Sequence, residues 1–342
     1  MNMTKDLKAH TAKLFNGIVG QTRAKKEFLF YLDSYVDTRM IPALMIIASI
    51  GQGKTTISNA LAKGLYEFNE DGVIMIPSRK DPSKLVPKIK TFVEVNCSTL
   101  TTVNAFINVY VIPFINDKDV TLFFDEAGEI PLEISNMLLT LLNPNPTNQT
   151  TLTVGEYTIN LDFKRQSFIF ATSESQKVLR ALSDRCEKIT LQDYSNDDLA
   201  SIIQTGLPDI VCEDGVLNEI ADTVRGNARA AQKMATKMLS YLRGSKTFLK
   251  DDWEAMKEIL SIAPLGLNSI ELNILAYLDD KVTGTSLTCL SAKTGMSRES
   301  LRLDCEIYLQ RHGLIEITQG GRMITPKGRL YLRDLPKYFV TA

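Results

Sequence analysis

The segment MIIASIGQGKTTISNALAKGL, at positions 45–65, has the residues of a phosphate-binding loop. Gly51 and Gly53 allow the backbone to curl so that its N–H groups and a helix dipole face an anion. In such a loop Lys54 reaches the β- and γ-phosphates of a nucleotide, and the hydroxyl of Thr55 binds Mg²⁺. The stretch therefore predicts a nucleotide site.

One position departs from the usual loop pattern, because Ala48 stands where the first glycine is expected. A methyl group is tolerated there if the backbone φ is negative. After the loop, Ile57, Ala60, Leu61 and Leu65 recur at helical spacing, so strand, loop and helix follow in the required order. This order favours a nucleotide loop over an unrelated Gly-Lys-Thr turn.

A second segment, VTLFFDEAGEI, is an apolar strand that ends in Asp125 and Glu126. Residues at the carboxyl end of such a strand face the ligand site of a parallel sheet. There Asp125 can hold Mg²⁺ through water, and Glu126 can take a proton from the attacking water. Asp-Glu pairs also occur in solvated turns, but a position downstream of a phosphate loop favours the catalytic interpretation.

Three weaker signals are polar or cationic residues at predicted element ends. Thr172 and Ser173 end the strand FIFATSES and could orient a water, although many strands end this way. Arg185 is either in a surface ion pair or, in a ring, beside a neighbour's nucleotide. Arg229 lies in the first turn of a helix, where the dipole disfavours a cation. It is therefore either close to an anion or simply solvated.

The chain divides into three predicted units. Residues 1–187 alternate short apolar runs with helical patterns, as in a parallel sheet covered by helices. Residues 188–262 are helical throughout and open at YSNDDLASII, which has capping-box spacing. Residues 263–342 contain three short helices and the hairpin GLIEITQGGRMITPKG. The predicted linker between the last two units is APLG, at 263–266.

Composition narrows the class of protein. With 342 residues and 44% hydrophobic side chains, the chain can form two or three cores. Lys plus Arg total 39 against 40 for Asp plus Glu, so nucleic acid must bind to a local patch. Five cysteines without a Cys-x-x-Cys pair predict reduced thiols and no metal site. A signal peptide and a membrane-spanning run are not evident, so a cytoplasmic protein with no membrane partner is expected.

In this order the motifs resemble those of the AAA+ ATPases, and within them the RuvB family of Holliday junction branch-migration motors. The resemblance begins at NGIVGQTRAKKEFLFYL and continues through LDFKRQSFIFATSESQKVLRALSDRCEKITLQDYSNDDLASII. It ends in EIYLQRHGLIEITQGGRMITPKGRLYL, which is similar to the family's winged-helix domain. It implies an α/β fold with a P-loop parallel sheet and a helical lid, followed by a winged helix.

The resemblance also implies roles for the site residues, with ATP and Mg²⁺ as cofactors. Thr55 and Asp125 would be the metal ligands, and Glu126 would be the catalytic base. Thr172 would be sensor 1, and Arg185 would be an arginine finger acting on the next subunit of a ring. The residues that would bind the nucleotide, with Arg229 as sensor 2, are Ile18, Val19, Gly51, Gln52, Gly53, Lys54, Thr55, Thr56, Tyr194 and Arg229.

The carboxy-terminal helix SRESLRLDCEIYLQRHG predicts a DNA surface. Its inward residues are Leu301, Cys305, Tyr308 and Leu309, which leaves two arginines outside. A third arginine follows the Gly-Gly turn of the wing, where a cation suits a phosphate contact. The predicted contacts to double-stranded or branched DNA are Arg298, Arg302 and Arg322. A protein-binding winged helix is the alternative.

Several departures from the family separate this chain from its usual members. Ala48 replaces a glycine, Ser49 and Ile50 replace paired prolines, and Ala228 replaces a proline. The family's His-Arg after the acidic pair is missing. The hairpin TLTVGEYTINLDF is shorter than the one that RuvB uses to dock on RuvA. We therefore predict no stable complex with a RuvA-type partner.

The expected function is that of an ATP-driven, hexameric ring motor that moves duplex DNA. Two alternatives remain open. A loader of a clamp or helicase would share the ATPase residues, but the carboxy-terminal winged helix argues against clamp loading. A nucleotide-gated DNA-binding regulator with little hydrolysis would need neither Glu126 nor Arg185.

Overall fold

The computed structural model describes residues 3–116, 118–143, 149–154 and 157–335. The chain forms two compact units. The first consists of Met1–Asp198 with Asn227–Arg229, and the second of Leu199–Gly226 with Ala230–Ala342. The second unit contains most of the predicted lid and the whole predicted winged helix. The three-domain division at 187 and 262 stays a prediction.

The first unit is built on a parallel sheet of five strands in the order β11-β1-β10-β7-β6. The strands of this unit, including its small hairpins, are β1 (Leu44–Ile47), β2 (Phe68–Asn69), β3 (Gly72–Val73), β4 (Met75–Pro77), β5 (Leu85–Pro87), β6 (Thr91–Asn96), β7 (Val120–Asp125), β8 (Gln149–Val154), β9 (Tyr157–Asp162), β10 (Gln166–Thr172) and β11 (Glu187–Thr190). Its helices are α1 (Met3–Thr11), α2 (Thr22–Thr38), α3 (Lys54–Ala62), α4 (Val103–Phe106), continued by a π-helix (Ile107–Ile115), α5 (Leu132–Leu141) and α6 (Arg180–Ser183).

Helices cover both faces of this sheet, because successive strand residues pack into opposite cores. Leu122 and Phe124 of β7 lie in the core that contains Ile134 of α5. Phe123 lies in the core that contains Phe28 of α2 and residues of α3. The helix-covered parallel sheet predicted for this part of the chain is confirmed.

The register of the sheet brings three predicted site segments to one edge. β1 pairs with β10 up to Ile47 opposite Thr172. β10 pairs with β7 up to Phe170 opposite Phe124, one residue before Asp125. Because these strands are parallel, their carboxyl ends meet, and the loop after β1 lies at the same edge as Asp125 and Thr172.

The predicted hairpin ahead of β10 is also present. β8 and β9 pair in antiparallel fashion from Gln149 opposite Asp162 to Val154 opposite Tyr157. The tip residues Gly155 and Glu156 lie outside the described residues.

The second unit contains helices with two small pairs of strands. Its helices are α7 (Asn196–Thr205), α8 (Val216–Thr223), α9 (Ala228–Leu242), α10 (Lys250–Leu260), α11 (Ser269–Asp279), α12 (Leu287–Thr294), α13 (Arg298–Ser300), a π-helix (Leu301–Glu306) and α14 (Ile307–Arg311), and α15 (Pro326–Arg333). Its strands are β12 (Val211–Cys212), β13 (Thr247–Phe248), β14 (Ile315–Thr318) and β15 (Gly321–Ile324). The prediction that 188–262 is helical throughout is wrong at β12 and β13, which form a parallel pair.

The role of APLG as a linker between two domains stays a prediction, but the structure shows that this segment is a packed turn. Ala263 is fully buried, and Pro264–Gly266 form a 3₁₀ turn. The hydroxyl of Tyr308 donates to the Leu265 carbonyl at 2.7 Å. A Cβ at Gly266 would lie 2.0 Å from the carbonyl oxygen of Thr223, so this turn packs directly on the end of α8. Tertiary packing, which composition does not reveal, makes this segment rigid.

The winged-helix core is formed as predicted. Leu301, Cys305 and Leu309 are buried, and Tyr308 is half-buried. Residues that are four positions apart, such as Leu301, Cys305 and Leu309, do not stay on one face of a regular α-helix. The π-helix has more residues per turn, so it keeps these side chains closer to one face.

Among the described residues no single helix is long and apolar enough to cross a membrane, although one bent pair, Lys250–Gly266 with Ser269–Asp279, has the length and composition.

Candidate nucleotide site and DNA-binding surface

The loop between β1 and α3 has a backbone that only glycine adopts easily. Gly51 and Gly53 have φ of 82° and 86°, in the left-handed region. A Cβ at Gly51 would also lie 2.2 Å from the Asn227 side-chain oxygen. The φ of Ala48 is negative, and its N–H donates to the Thr172 carbonyl at 3.1 Å. The loop therefore accommodates Ala48 in place of the usual glycine, as predicted.

The side chain of Lys54 points into this loop. It is only 7% exposed, and its ammonium donates to the carbonyls of Ala48 at 3.0 Å and Ser49 at 3.4 Å. Thr55 and Thr56 follow in the first turn of α3, half-buried and exposed respectively. A lysine held by neutral carbonyls can exchange them for phosphate oxygens without breaking an ion pair. The loop thus fits the phosphate groups of a nucleotide.

Four charged groups act on one another at this edge of the sheet. Burial lowers the pKa of Lys54, which is the largest effect. The carboxylates of Glu126 and Asp125 raise that pKa, and the Arg229 guanidinium lowers it. The structure therefore brings together residues from α3, the end of β7 and the start of α9, as the nucleotide-site prediction requires.

Glu126 has an unusual backbone. Its φ is 54°, in the left-handed region, and its N–H donates to the Asp125 carboxylate at 3.1 Å. The hydroxyl of Ser173 donates to the Glu126 carboxylate at 3.4 Å. Non-glycine residues in this conformation often lie at functional sites. The role of Glu126 as a base stays a prediction, and Ser173 is the side chain that the structure places beside it.

Thr172 is buried where β10 ends. Its hydroxyl accepts the N–H of Glu174 at 3.0 Å, and its carbonyl accepts the N–H of Ala48. Thr172 therefore lies at the correct edge of the sheet. Its role as a sensor of the nucleotide stays a prediction.

The resemblance also implies that Ile18, Val19 and Tyr194 lie near the adenine of the nucleotide. The segments that contain them are held together by side chains that motif analysis did not single out. The amide of Gln21 donates to the Gln192 carbonyl at 2.8 Å and accepts the N–H of Gln192 at 2.9 Å. This pairing links the segment of Ile18 and Val19, which are both half-buried, to the segment that contains Tyr194.

Tyr194 contacts the phosphate loop directly. Its hydroxyl donates to the Gln52 carbonyl at 3.2 Å, and burial raises its pKa. The amide of Gln52 donates to the Asp193 carboxylate at 3.2 Å. Asp193 and Gln21 were missed from the sequence because their partners lie about 140 and 170 positions away, and no local pattern indicates such contacts.

The start of α9 contacts the same loop. The Asn227 amide donates to the Ile50 carbonyl at 3.4 Å, and Arg229 is exposed. Asn227 was not among the predicted site residues, and the structure adds its contact with the loop. Arg229 acts electrostatically on Lys54, and its role beside an anion stays a prediction.

In the winged helix, the structure contradicts one of the three predicted DNA contacts. Arg298 and Arg302 are exposed, as predicted. Arg322 is only 17% exposed, and its Nε and Nη2 both donate to the carboxylate of Glu306, with Nη2–Oε2 at 3.2 Å. This hydrogen bond is the main cause of its raised pKa. The prediction of a wing-tip cation open to phosphate is therefore wrong, because β15 directs Arg322 toward the helix.

Comparison with known proteins agrees with this architecture. Residues 264–333 match the family of the RuvB C-terminal winged helix domain. The chain is 24% identical over 304 residues to the Holliday junction branch migration complex subunit RuvB of Wolbachia sp. subsp. Brugia malayi (strain TRS), covering 86% of this chain and 84% of that relative. The RuvB Holliday junction branch migration motor of Thermotoga maritima superposes with a TM-score of 0.68 at 20% identity, over 92% of this chain and 95% of that one.

The chain is therefore similar to RuvB in its sequence, in its fold and in its carboxy-terminal winged helix. A RuvB mutant of Thermotoga maritima superposes with a TM-score of 0.69 at 20% identity, over 94% of this chain and 98% of the other. The predicted fold class, a parallel P-loop sheet followed by a winged helix, is confirmed.

Arg185 is held by neutral groups of its own chain. It is half-buried and donates to the Ala181 carbonyl at 3.0 Å and to the side-chain oxygen of Asn143 at 3.4 Å. No carboxylate among the described residues lies within 4.0 Å of it, so the alternative of an ion pair within the subunit finds no support there. Action on a neighbouring subunit stays a prediction.

The described part of the chain has no cluster of three or more His, Cys, Asp or Glu side chains arranged for a metal ion. Mg²⁺ keeps several waters and binds proteins through one or two ligands together with phosphates, so such a cluster is not required. The predicted pair of Thr55 and Asp125 fits this chemistry.

All five cysteines are free, and burial raises the pKa of Cys186 to about 12 and of Cys305 to about 11, as expected for unreactive thiols.

Proposed function

We propose that this RuvB-like chain is an ATPase that works as a ring-shaped motor on double-stranded or branched DNA. What carries the proposal is the sheet register, which brings the loop of Lys54, the acidic end of β7 and Thr172 to one edge of the sheet. The same chain has a RuvB-type winged helix. Holliday junction branch migration, which the names of its relatives state, is the specific reaction that we propose. Such a motor would act in the cytoplasm.

The proposed chemistry is transfer of the γ-phosphoryl group of ATP to water. The oxygen of water bonds to the γ-phosphorus while the bond to the β-phosphate oxygen breaks, and ADP and phosphate leave. Glu126 accepts the proton of the water, and Ser173 holds its carboxylate in place. Lys54 exchanges its loop carbonyls for phosphate oxygens. Bound Mg²⁺, with Thr55 and Asp125 as its proposed ligands, would neutralise charge on the phosphates.

We propose that Arg185 completes the site of a neighbouring subunit, in a ring that the resemblance predicts to be hexameric. Its present partners are a carbonyl and an amide oxygen, which it can leave without stranding a buried carboxylate. An arginine supplied in this way stabilises charge in the transition state. This role distinguishes a ring motor from a monomeric nucleotide switch.

For DNA we propose Arg298 and Arg302 as contacts, since both are exposed on the helix that precedes the wing. Contacts of this kind to phosphates hold a duplex without reading its sequence. We predict weak or no binding to a RuvA-type partner. This stays a prediction, because the tip of the hairpin between β8 and β9 lies outside the described residues.

Imaging by negative-stain microscopy with ATP and duplex DNA tests the proposal. The test protein is Glu126→Gln, which should bind ATP with little hydrolysis and so remain in the ATP-bound state. Closed rings threaded by DNA are expected. Open or clamp-associated assemblies would point to a loader, and single subunits on DNA would point to a nucleotide-gated regulator. Either result would refute the ring motor.

A further inference from the structure

The second unit contains an ion pair that joins the end of the lid helix α8 to the winged helix. Arg225 donates to both carboxylate oxygens of Glu271, from Nη1 at 3.1 Å and from Nη2 at 2.9 Å. The Glu271 side chain is fully buried and also accepts the N–H of Asn268 at 2.9 Å, where it caps α11. The bidentate geometry fixes the direction of the guanidinium as well as its distance.

A third element contacts the same guanidinium. Its carbon lies 3.6 Å from the ring centroid of Tyr308 on α14, within the range of a cation–π contact. The backbone of Arg225 has a φ of 58°, a conformation that non-glycine residues keep only when their surroundings hold it. One side chain therefore ties the end of α8 to both α11 and α14.

Other contacts make this junction stiff. The Tyr308 hydroxyl donates to the Leu265 carbonyl at 2.7 Å, and the turn at Gly266 packs on Thr223. The end of α8 and the winged helix thus form one packed body within the second unit. A rotation of one part must carry the other with it.

The segment that continues from this junction contacts the nucleotide loop. Arg225 is followed, after one glycine, by Asn227, whose amide donates to the Ile50 carbonyl. Arg229 comes two residues later in the same segment. The five residues 225–229 therefore hold the winged helix at one end and contact the phosphate loop at the other.

We propose that Arg225 is a positioning residue that couples nucleotide binding at the phosphate loop to DNA binding by the winged helix. The inference rests on the proposed function. Phosphates that enter the loop contact the segment of Asn227 and Arg229, and Arg225 transmits the resulting shift to α11 and α14. Because such coupling is reciprocal, DNA must change the affinity for nucleotide by the same factor.

Fluorescence anisotropy of a labelled duplex, with full-length protein and with or without saturating ATPγS, measures the coupling. In wild type we expect the two DNA dissociation constants to differ by about five-fold or more. In Arg225→Lys, which keeps the charge but loses the bidentate pair, the ratio should fall to within about two-fold of one. Glu271→Gln, which removes the negative charge of the same pair, should lower the ratio in the same way. Both variants should still bind each ligand alone.

The matched control is Arg243→Ala. Arg243 is an exposed arginine of the same unit that also has a left-handed backbone, with φ of 46°. Its removal should leave the ratio unchanged. Tyr308→Leu, which removes the ring under the guanidinium, should reduce the ratio. A merely structural role of Arg225 would weaken both affinities together and leave their ratio intact.

The outcomes separate this inference from the proposed function. If Arg225→Lys and Glu271→Gln both kept the wild-type ratio, Arg225 would not be the coupling residue. If wild type bound ATPγS and DNA independently, there would be no coupling for Arg225 to transmit. The proposed ATPase function would not be contradicted by that result. If wild type did not bind ATPγS, the proposed function would fall, and this inference with it.

Discussion

The ion pair between Arg322 and Glu306 predicts that Arg322→Ala destabilises the winged helix and does not primarily weaken DNA binding. The variant would leave Glu306, which is 6% exposed, as a buried carboxylate without its partner. Breaking a buried pair by removing one member costs about 3–5 kcal/mol. Because Arg322 is itself 17% exposed, we expect a value near the lower end, about 3 kcal/mol.

Urea unfolding followed by tryptophan fluorescence measures this loss. The chain has one tryptophan, Trp253, which is 1% exposed and lies in the second unit with the ion pair. Its signal therefore reports the unit that the substitution affects. The double variant Arg322→Ala with Glu306→Gln should recover part of the stability, because it removes the unpaired charge as well.

The control is Arg302→Ala, which removes an exposed arginine from the helix that precedes the wing. Its unfolding curve should match wild type within about 0.5 kcal/mol. It should weaken binding to all duplex sequences alike and flatten the plot of log affinity against log salt by about one unit. If Arg322→Ala instead unfolded like wild type and flattened the salt plot, the ion pair would not form in solution and Arg322 would be a DNA contact.

Three further predictions concern the first unit. Glu126→Gln should bind ATP and lose about 10²- to 10⁴-fold in single-turnover hydrolysis, because an amide cannot accept the proton. Glu129→Gln, which removes an exposed acid that pairs with Lys177 at 3.3 Å, is its control and should hydrolyse ATP normally. Arg185→Ala should lose about 10³-fold or more in rate while retaining nucleotide binding. Mixing it with Lys54→Ala subunits should restore some activity, and the lack of rescue in rings that exchange subunits would contradict action between subunits. Burial lowers the pKa of Lys90 from 10.5 to about 8, so the unfolded chain binds more protons between these values. Lys90 should therefore contribute a rise of about 3 kcal/mol in the free energy of unfolding as pH increases through this window, measured against a variant without it. Buried thiols such as Cys186 contribute in the opposite direction in both proteins, because burial raises their pKa. Urea unfolding followed by circular dichroism should show no such rise in Lys90→Met, and equal slopes in both proteins would contradict the prediction.

Local sequence patterns were sufficient to predict the sheet and its site segments. The order of apolar strand, glycine-containing loop and amphipathic helix is written in consecutive residues, and so is the acidic pair that ends β7. Both depend on backbone preferences and periodicity over fewer than about twenty residues. The capping box at Ser195 and Asp198 is equally local, and it forms with Asp198 N to Ser195 Oγ at 3.1 Å.

The contacts that distinguish this chain depend on residues far apart in sequence. Arg322 meets Glu306 because the hairpin register turns its side chain toward the helix, and Arg225 meets Glu271 across 46 positions. No local pattern indicates either partner, since a charged residue satisfies the same pattern whether it faces water or a buried carboxylate. The sequence by itself therefore predicted which residues are proposed to bind and cleave a nucleotide. Only the tertiary structure decided which arginines are free to contact DNA and which hold the fold together, because burial and pairing arise from packing between distant segments.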